Sequence, residues 1–337
     1  MLRILFLLLL PLLLACDPTQ GARYKEMQAA QAQQSQAIPV NPNEEYVMIT
    51  TIVSFPMYVN HDQAAFKKWG RQRGVRTTIM GPSEWDVARQ ISVIEQVIPS
   101  RPAGLLINGT DPAIAGAINK AVEAGIPTVV YDSDIPMSKR HAFLGTDWYE
   151  IGRLQGEAMV ELIDGKGKIA YMGIVGLTNM ESGFQGLLDV VNQYPEIEVV
   201  GKYDDKGNVE EAARIASDLL SAHPDLAGIC GFDAMSGPGI GLAIKEASKI
   251  GRVKVTTVDW EPEHLRLVKE GVLHLLVGQK RELFTWYGAQ FLYDMVHQTN
   301  QLSTDDERAD ITSIPAQVNT GLLTIDASNI HLFLEKE

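Results

Sequence analysis

Cysteine is scarce in this chain: 337 residues contain two, Cys16 and Cys230. Such a pair gives no disulfide framework, even where the compartment would permit one. Cys230 ends the apolar stretch Leu226-Ala227-Gly228-Ile229-Cys230 and reads as a buried, inert thiol. Basic charge is also short, 29 Lys and Arg against 42 Asp and Glu, for a formal net charge of -13. No basic face for phosphates can be expected from that balance, which excludes nucleic acid as a partner and gives no electrostatic hold on anionic lipid. The histidines, His61, His141, His223, His264, His274, His297 and His331, never fall at the HxxxH spacing of a zinc enzyme. No GxxxxGK[ST] phosphate loop occurs, and Gly237, Gly239 and Gly241 stand too close together for a dinucleotide fingerprint. Ser236 lacks the glycine two residues earlier that a nucleophile elbow requires, since Ala234 stands there. Nothing in this inventory supports catalysis, and no metal or cofactor is expected.

A long apolar run occurs at the N-terminus. Arg3 precedes an apolar stretch from Ile4 to Leu14, broken by Pro11, and the stretch ends on Ala15-Cys16. This is the layout of an export signal, and it is too short for a membrane-spanning helix, which needs about 20 residues. Leu13-Leu14-Ala15-Cys16 resembles the bacterial lipobox, which implies removal of residues 1–15 and acylation of Cys16. Residues 16–44, with Gln28-Ala29-Ala30-Gln31-Ala32-Gln33-Gln34 at their centre, then read as a tether to the membrane. The expected location is the periplasmic or cell-surface face of a membrane, held there by the acyl chains on Cys16.

Beyond the tether, strand-like runs alternate with amphipathic stretches. Strands are predicted near 46–53, 75–80, 104–108 and 127–131, with helices near 62–73, 85–98 and 112–124. The pattern repeats, with strands near 168–172, 197–201, 228–231, 253–258 and 273–278 and helices near 149–163, 208–222, 239–249, 262–270 and 282–298. Alternation of this kind means right-handed crossovers and parallel sheets. The predicted fold is therefore α/β with two similar lobes, each a parallel sheet flanked by helices, joined by a hinge of three chain crossings. The expected division is 45–146 with 280–308 for the first lobe and 147–279 with 309–337 for the second.

Ligands of open parallel sheets bind beyond the carboxyl ends of the strands. Asn108, Asp132, Asp259 and Gln279 stand there, each a polar residue closing an apolar strand. A carboxylate can accept from two adjacent hydroxyls and an amide can give one bond each way, so the set suits a small polar ligand such as a sugar. Each residue could equally start a turn or cap a helix, and Asp111-Pro112 in particular makes a good helix start.

The motifs resemble those of the ribose-binding and related sugar-binding proteins of ABC importers, the type I periplasmic-binding fold, over about 46–323. They are Leu105-Leu106-Ile107-Asn108 through Asp111, Ala124-Gly125-Ile126-Pro127 through Asp132, Ser221-Ala222-His223-Pro224-Asp225, and Val258-Asp259. The resemblance implies that Asn108, Asp132, Asp259 and Gln279 bond the sugar's hydroxyls. It also implies aromatic rings on the sugar's faces, one from Phe55 or Tyr58 and another from Phe232 or Trp260, with core packing the competing use of Phe232. The family pattern is broken at three places: Ser133 and Met180 stand where arginines are expected, and Phe232 where asparagine is. Arg281 or Lys206 is the available substitute for the missing guanidinium. The implied partners are a small sugar and an ABC permease, with the protein a monomer. A ligand-sensing subunit for a membrane sensor kinase or chemoreceptor fits the same features. A repressor does not, because the signal and tether stand where a DNA-binding helix-turn-helix would be.

Overall fold

In the computed structural model the described residues are 41–334, apart from 110, 307 and 310. The expected signal, Cys16 and most of the tether lie outside them. Strands β1 (Asn41–Ile49), β2 (Val75–Met80), β3 (Gly104–Gly109), β4 (Thr128–Asp132), β5 (Ala142–Gly145) and β11 (Gln317–Asn319) form one sheet, in the order β11-β5-β4-β3-β1-β2. Strands β6 (Gly167–Gly173), β7 (Ile197–Asp204), β8 (Leu226–Gly231), β9 (Lys254–Val258), β10 (Leu275–Gln279) and β12 (Leu322–Ile325) form the other, in the order β12-β10-β9-β8-β6-β7. The two orders are the same arrangement used twice. Every described pairing is parallel except β10 with β12, an antiparallel edge. Strands β3, β4, β5 and β10 are buried along their whole length, as parallel strands covered on both faces must be.

The helices are α1 (Ala64–Arg73), α2 (Val87–Val97), α3 (Ala115–Glu123), α4 (Trp148–Leu162), α5 (Thr178–Val191), α6 (Val209–Ala222), α7 (Ser236–Glu246), α8 (Pro262–Lys269), α9 (Arg281–His297) and α10 (His331–Leu334). Their starts are written in the sequence. Asp86, Asp147 and Asn208 each accept a backbone N–H three residues on, from Arg89, Glu150 and Glu211. A π-helical turn, Tyr58–Gln63, precedes α1; Tyr58 packs with Ala234 of the other lobe, while Asp62 and Gln63 are bonded within their own.

Several boundaries differ from those read in the sequence. Residues 41–44, assigned to the tether, open β1, and Asn41 pairs with Val75 across a register shift. The return to the second lobe comes later than residue 308: Gln317–Asn319 extends the first sheet beside β5, and the chain crosses only between β11 and β12. Helices α5 and α10 and strands β5, β11 and β12 are additional to the predicted elements. The three crossings are thus β5 to α4, β10 to α9, and β11 to β12.

Candidate functional site

Both sheets point their carboxyl ends into one cleft of about 450 Å³ between the lobes, within the size range of small-molecule sites. Asp132 ends β4 of the first lobe, Asp259 follows β9 and Gln279 ends β10 of the second; all three line the cleft. Asp132 and Asp259 both have left-handed backbones, with φ of 77° and 70°. Residues with a Cβ rarely adopt that conformation, Asp and Asn more readily than others, and it concentrates at functional positions.

Arg281 anchors the first-lobe half of the site. It is 3% exposed at the first position of α9, and its guanidinium forks onto two carboxylates. Nε and Nη2 donate to Asp62 at 2.9 and 2.7 Å, and Nη1 and Nη2 donate to Asp132 at 3.1 Å each. The rings of Tyr58 and Phe284 lie 5.2 and 5.5 Å from it. Burial opposes the charge, but Asp132 and Asp62 outweigh it and raise the guanidinium's pKa. Arg281 is the substitute named from the sequence, whereas Asp62 is new. Burial pushes the Asp62 carboxyl up to about 7 against the pull of Arg281, and pushes Asp259 up to about 6.

Asn108 stands one layer behind the cleft. Its Nδ2 donates to Asp132 Oδ2 at 3.1 Å, Thr51 donates its hydroxyl to Oδ1, and Gln90 Nε2 donates to its carbonyl at 2.8 Å. Asn108 is thus outside the cleft lining, with its side chain engaged in orienting Asp132. Gln279 Nε2 reaches Asp259 Oδ1 at 3.5 Å, and its Oε1 is buried without a partner. Two other cleft residues carry buried, unpartnered polar atoms: Trp148 Nε1 and Asp233 Oδ2. Asp233 Oδ1 accepts from the N–H groups of Met235 and Ser236 at the head of α7. Burial, with the Asp205 carboxylate beside it, pushes Asp233 well above the usual carboxylate range.

Of the expected aromatic residues, Phe55 and Tyr58 line the cleft, their rings edge to face at 5.2 Å. Phe232 does not. It is fully buried in the second lobe, edge-on to Phe184 at 4.9 Å, so core packing takes the ring. Trp260 is also outside the lining, 4.9 Å from the His61 ring and 5.8 Å from Phe333. Trp85 and Trp148 supply the further cleft rings instead. Trp148 opens α4 directly after β5, so reading that four-residue strand would have placed it at the site. Lys206 lines the cleft, and Met180, at the second missing-arginine position, does too.

Among the described residues no group of three or more His, Cys, Asp or Glu side chains could hold a metal, and no helix is long and apolar enough to cross a membrane.

The periplasmic binding protein domain family matches residues 46–299. The chain is 27% identical to a D-ribose/D-allose-binding protein of Pseudomonas aeruginosa over 66% of this chain and 72% of that one. Among solved structures, AraP, an arabinose binding protein from Geobacillus stearothermophilus, is 32% identical with a TM-score of 0.77, covering 87% of this chain and 99% of its own. A sugar ABC transporter sugar-binding protein from Bacillus halodurans is 30% identical with a TM-score of 0.79, over 86% and 99%. With the same two-lobed α/β fold and a polar cleft between the lobes, this chain belongs to the periplasmic binding protein family, type I, whose members bind a solute rather than transform it.

Proposed function

We propose that the cleft captures a monosaccharide and presents it to an ABC permease, the protein acting as an exported monomer anchored through acyl chains on Cys16. The observation that carries the sugar is the convergence from both lobes of unsaturated hydrogen-bonding groups on one small cavity. Asp132 is presented by the first lobe, while Asp259, Gln279 Oε1, Asp233 Oδ2 and Trp148 Nε1 are presented by the second. A ring of adjacent hydroxyls, each donor and acceptor, can satisfy this mixed set, and the rings of Phe55, Tyr58, Trp85 and Trp148 offer cover for its apolar faces. The arabinose- and ribose/allose-binding relatives support the same reading.

Calorimetry on a panel of D-ribose, D-allose, L-arabinose and D-xylose tests it. Charge-assisted bonds of this kind contribute roughly 1.5–3 kcal/mol each. Asp132→Asn and Asp259→Asn should therefore weaken the best sugar by roughly ten- to 150-fold. A parent protein that binds no polyhydroxylated compound, or variants that bind like the parent, would remove the assignment. The anchor is tested separately by mass spectrometry of protein from a bacterial host, where an unmodified Cys16 or an intact residue 1 would refute it.

A further inference from the structure

His61 lies outside the cleft lining, on the π-helical turn of the first lobe, and carboxylates face both of its ring nitrogens. Nδ1 is 2.7 Å from Glu282 Oε1, on α9 of the same lobe, and Nε2 is 2.9 Å from Glu261 Oε1, at the head of α8 in the second lobe. The imidazole is 12% exposed and Glu261 16%. Asn60 Nδ2 reaches the other Glu261 oxygen at 3.4 Å, and the Trp260 ring covers the imidazole at 4.9 Å. A neutral imidazole has one N–H, so it would set a bare nitrogen lone pair against a carboxylate oxygen on one side. Both contacts are favourable only for the imidazolium.

We propose that the His61 imidazolium, held by Glu282 of its own lobe and Glu261 of the facing lobe, is a proton-dependent latch that sets how tightly the closed cleft retains its ligand. The proposal rests on the sugar-capture reading for its ligand, but the latch itself belongs to lobe closure. Opening removes Glu261 and leaves Glu282, so the proton is held more tightly in the closed form. In that form burial opposes the charge, but the hydrogen bonds to Glu261 and Glu282 outweigh it and raise His61 from 6.5 to about 10.

The surrounding charges do not replace the latch. Asp62, the next residue, turns inward onto Arg281. On α8, Glu263 is paired with Arg266, and His264 is buried and pushed down to about 4, hence neutral. On α1, Lys68 lies over the Trp286 ring at 5.9 Å, and Lys67 is exposed. On α9, Arg281 is engaged by Asp62 and Asp132.

The sign follows from linkage. A group whose pKa is higher in the closed form favours closure while protonated, and the advantage is lost as pH rises above the open-form pKa. Affinity should therefore be highest below about pH 7 and fall roughly ten- to hundredfold between pH 6 and 9. Near pH 8, above the range of Asp62 and Asp259, sugar binding should take up close to one proton, read by calorimetry in buffers of different ionisation enthalpy. The probe is the best binder among D-ribose, D-allose, L-arabinose and D-xylose. Glu261→Gln and His61→Gln should abolish the uptake and flatten the profile above pH 7, whereas Glu282→Gln, which touches His61 in both forms, should change it less. Equal proton uptake and equal pH profiles in the parent and Glu261→Gln overturn the latch. If no panel sugar binds, the sugar reading fails and the latch is read in the unliganded protein by small-angle scattering. A radius of gyration that grows from pH 6 to 9 in the parent but not in Glu261→Gln supports it, and identical behaviour rejects it.

Discussion

Arg281 is the residue on which stability and binding meet. Asp62 is fully buried and Asp132 nearly so, and both are engaged by one guanidinium. Removing one partner of a buried ion pair leaves charge without compensation, which costs about 3–5 kcal/mol. Arg281→Met should lower stability by that amount in urea unfolding and also release Asp132 from its orientation, so binding should fall with it. Lysine should not rescue binding, because a point charge cannot fork onto two carboxylates. Asp134→Asn is the contrast: Asp134 pairs with Arg140 away from the cleft lining, and its loss should leave affinity unchanged. A variant at Arg281 as stable as the parent would show that Asp62 takes up its proton without penalty. The strand-end aspartates were legible because an apolar run stops at them. Asp62 was not, since it faces inward from a π-helical turn that has no ordinary helical period. Phe232 and Trp260 were misplaced for a related reason: position after a strand fixes the neighbourhood of a ring, while packing decides its direction.

At the scale of elements, α4 and α5 show how glycine both hid a helix and built an interface. The apolar positions Met180, Phe184, Leu187 and Val191 carry a helical period, but Gly183 and Gly186 interrupt it with residues of poor helix propensity. In the fold those glycines are where two backbones meet. A Cβ at Gly152 of α4 would lie 1.8 Å from the Gly183 carbonyl oxygen, and one at Gly186 would lie 2.1 Å from that of Tyr149. This close approach seats Trp148 and Met180 at the cleft from adjacent helices. Gly152→Ala should therefore force the helices apart and destabilise by at least the roughly 1–3 kcal/mol of ordinary overpacking. Thermal or urea denaturation measures it, and a parent-like midpoint would mean that the helices can slide without loss. Strands β5, β11 and β12, of four, three and four residues, were hidden by brevity: too few positions exist for a period to show. Because β11 was not seen, the last crossing was set too early.

The whole molecule is one topology used twice, and three separate crossings restrict how the copies can move against each other. Side chains of the two lobes meet at the cleft and beside it. Met57 and Tyr58 of the first lobe pack with Ala234 of the second, and His61 meets Glu261 beside the cleft. A ligand that bonds Asp132 in one lobe and Asp259 or Gln279 in the other has its full contacts only in the closed form, so its binding shifts the population toward closure by its difference in affinity for the two forms. Solution scattering should then show a smaller radius of gyration at saturating sugar than without it. Asp259→Asn, which weakens the second-lobe contact while leaving the Arg281 pairs in place, should need correspondingly more sugar to reach the same compaction. Were the radius unchanged while calorimetry showed the cleft filled, capture would proceed on preformed lobes, and the three crossings would serve as a rigid joint rather than a hinge.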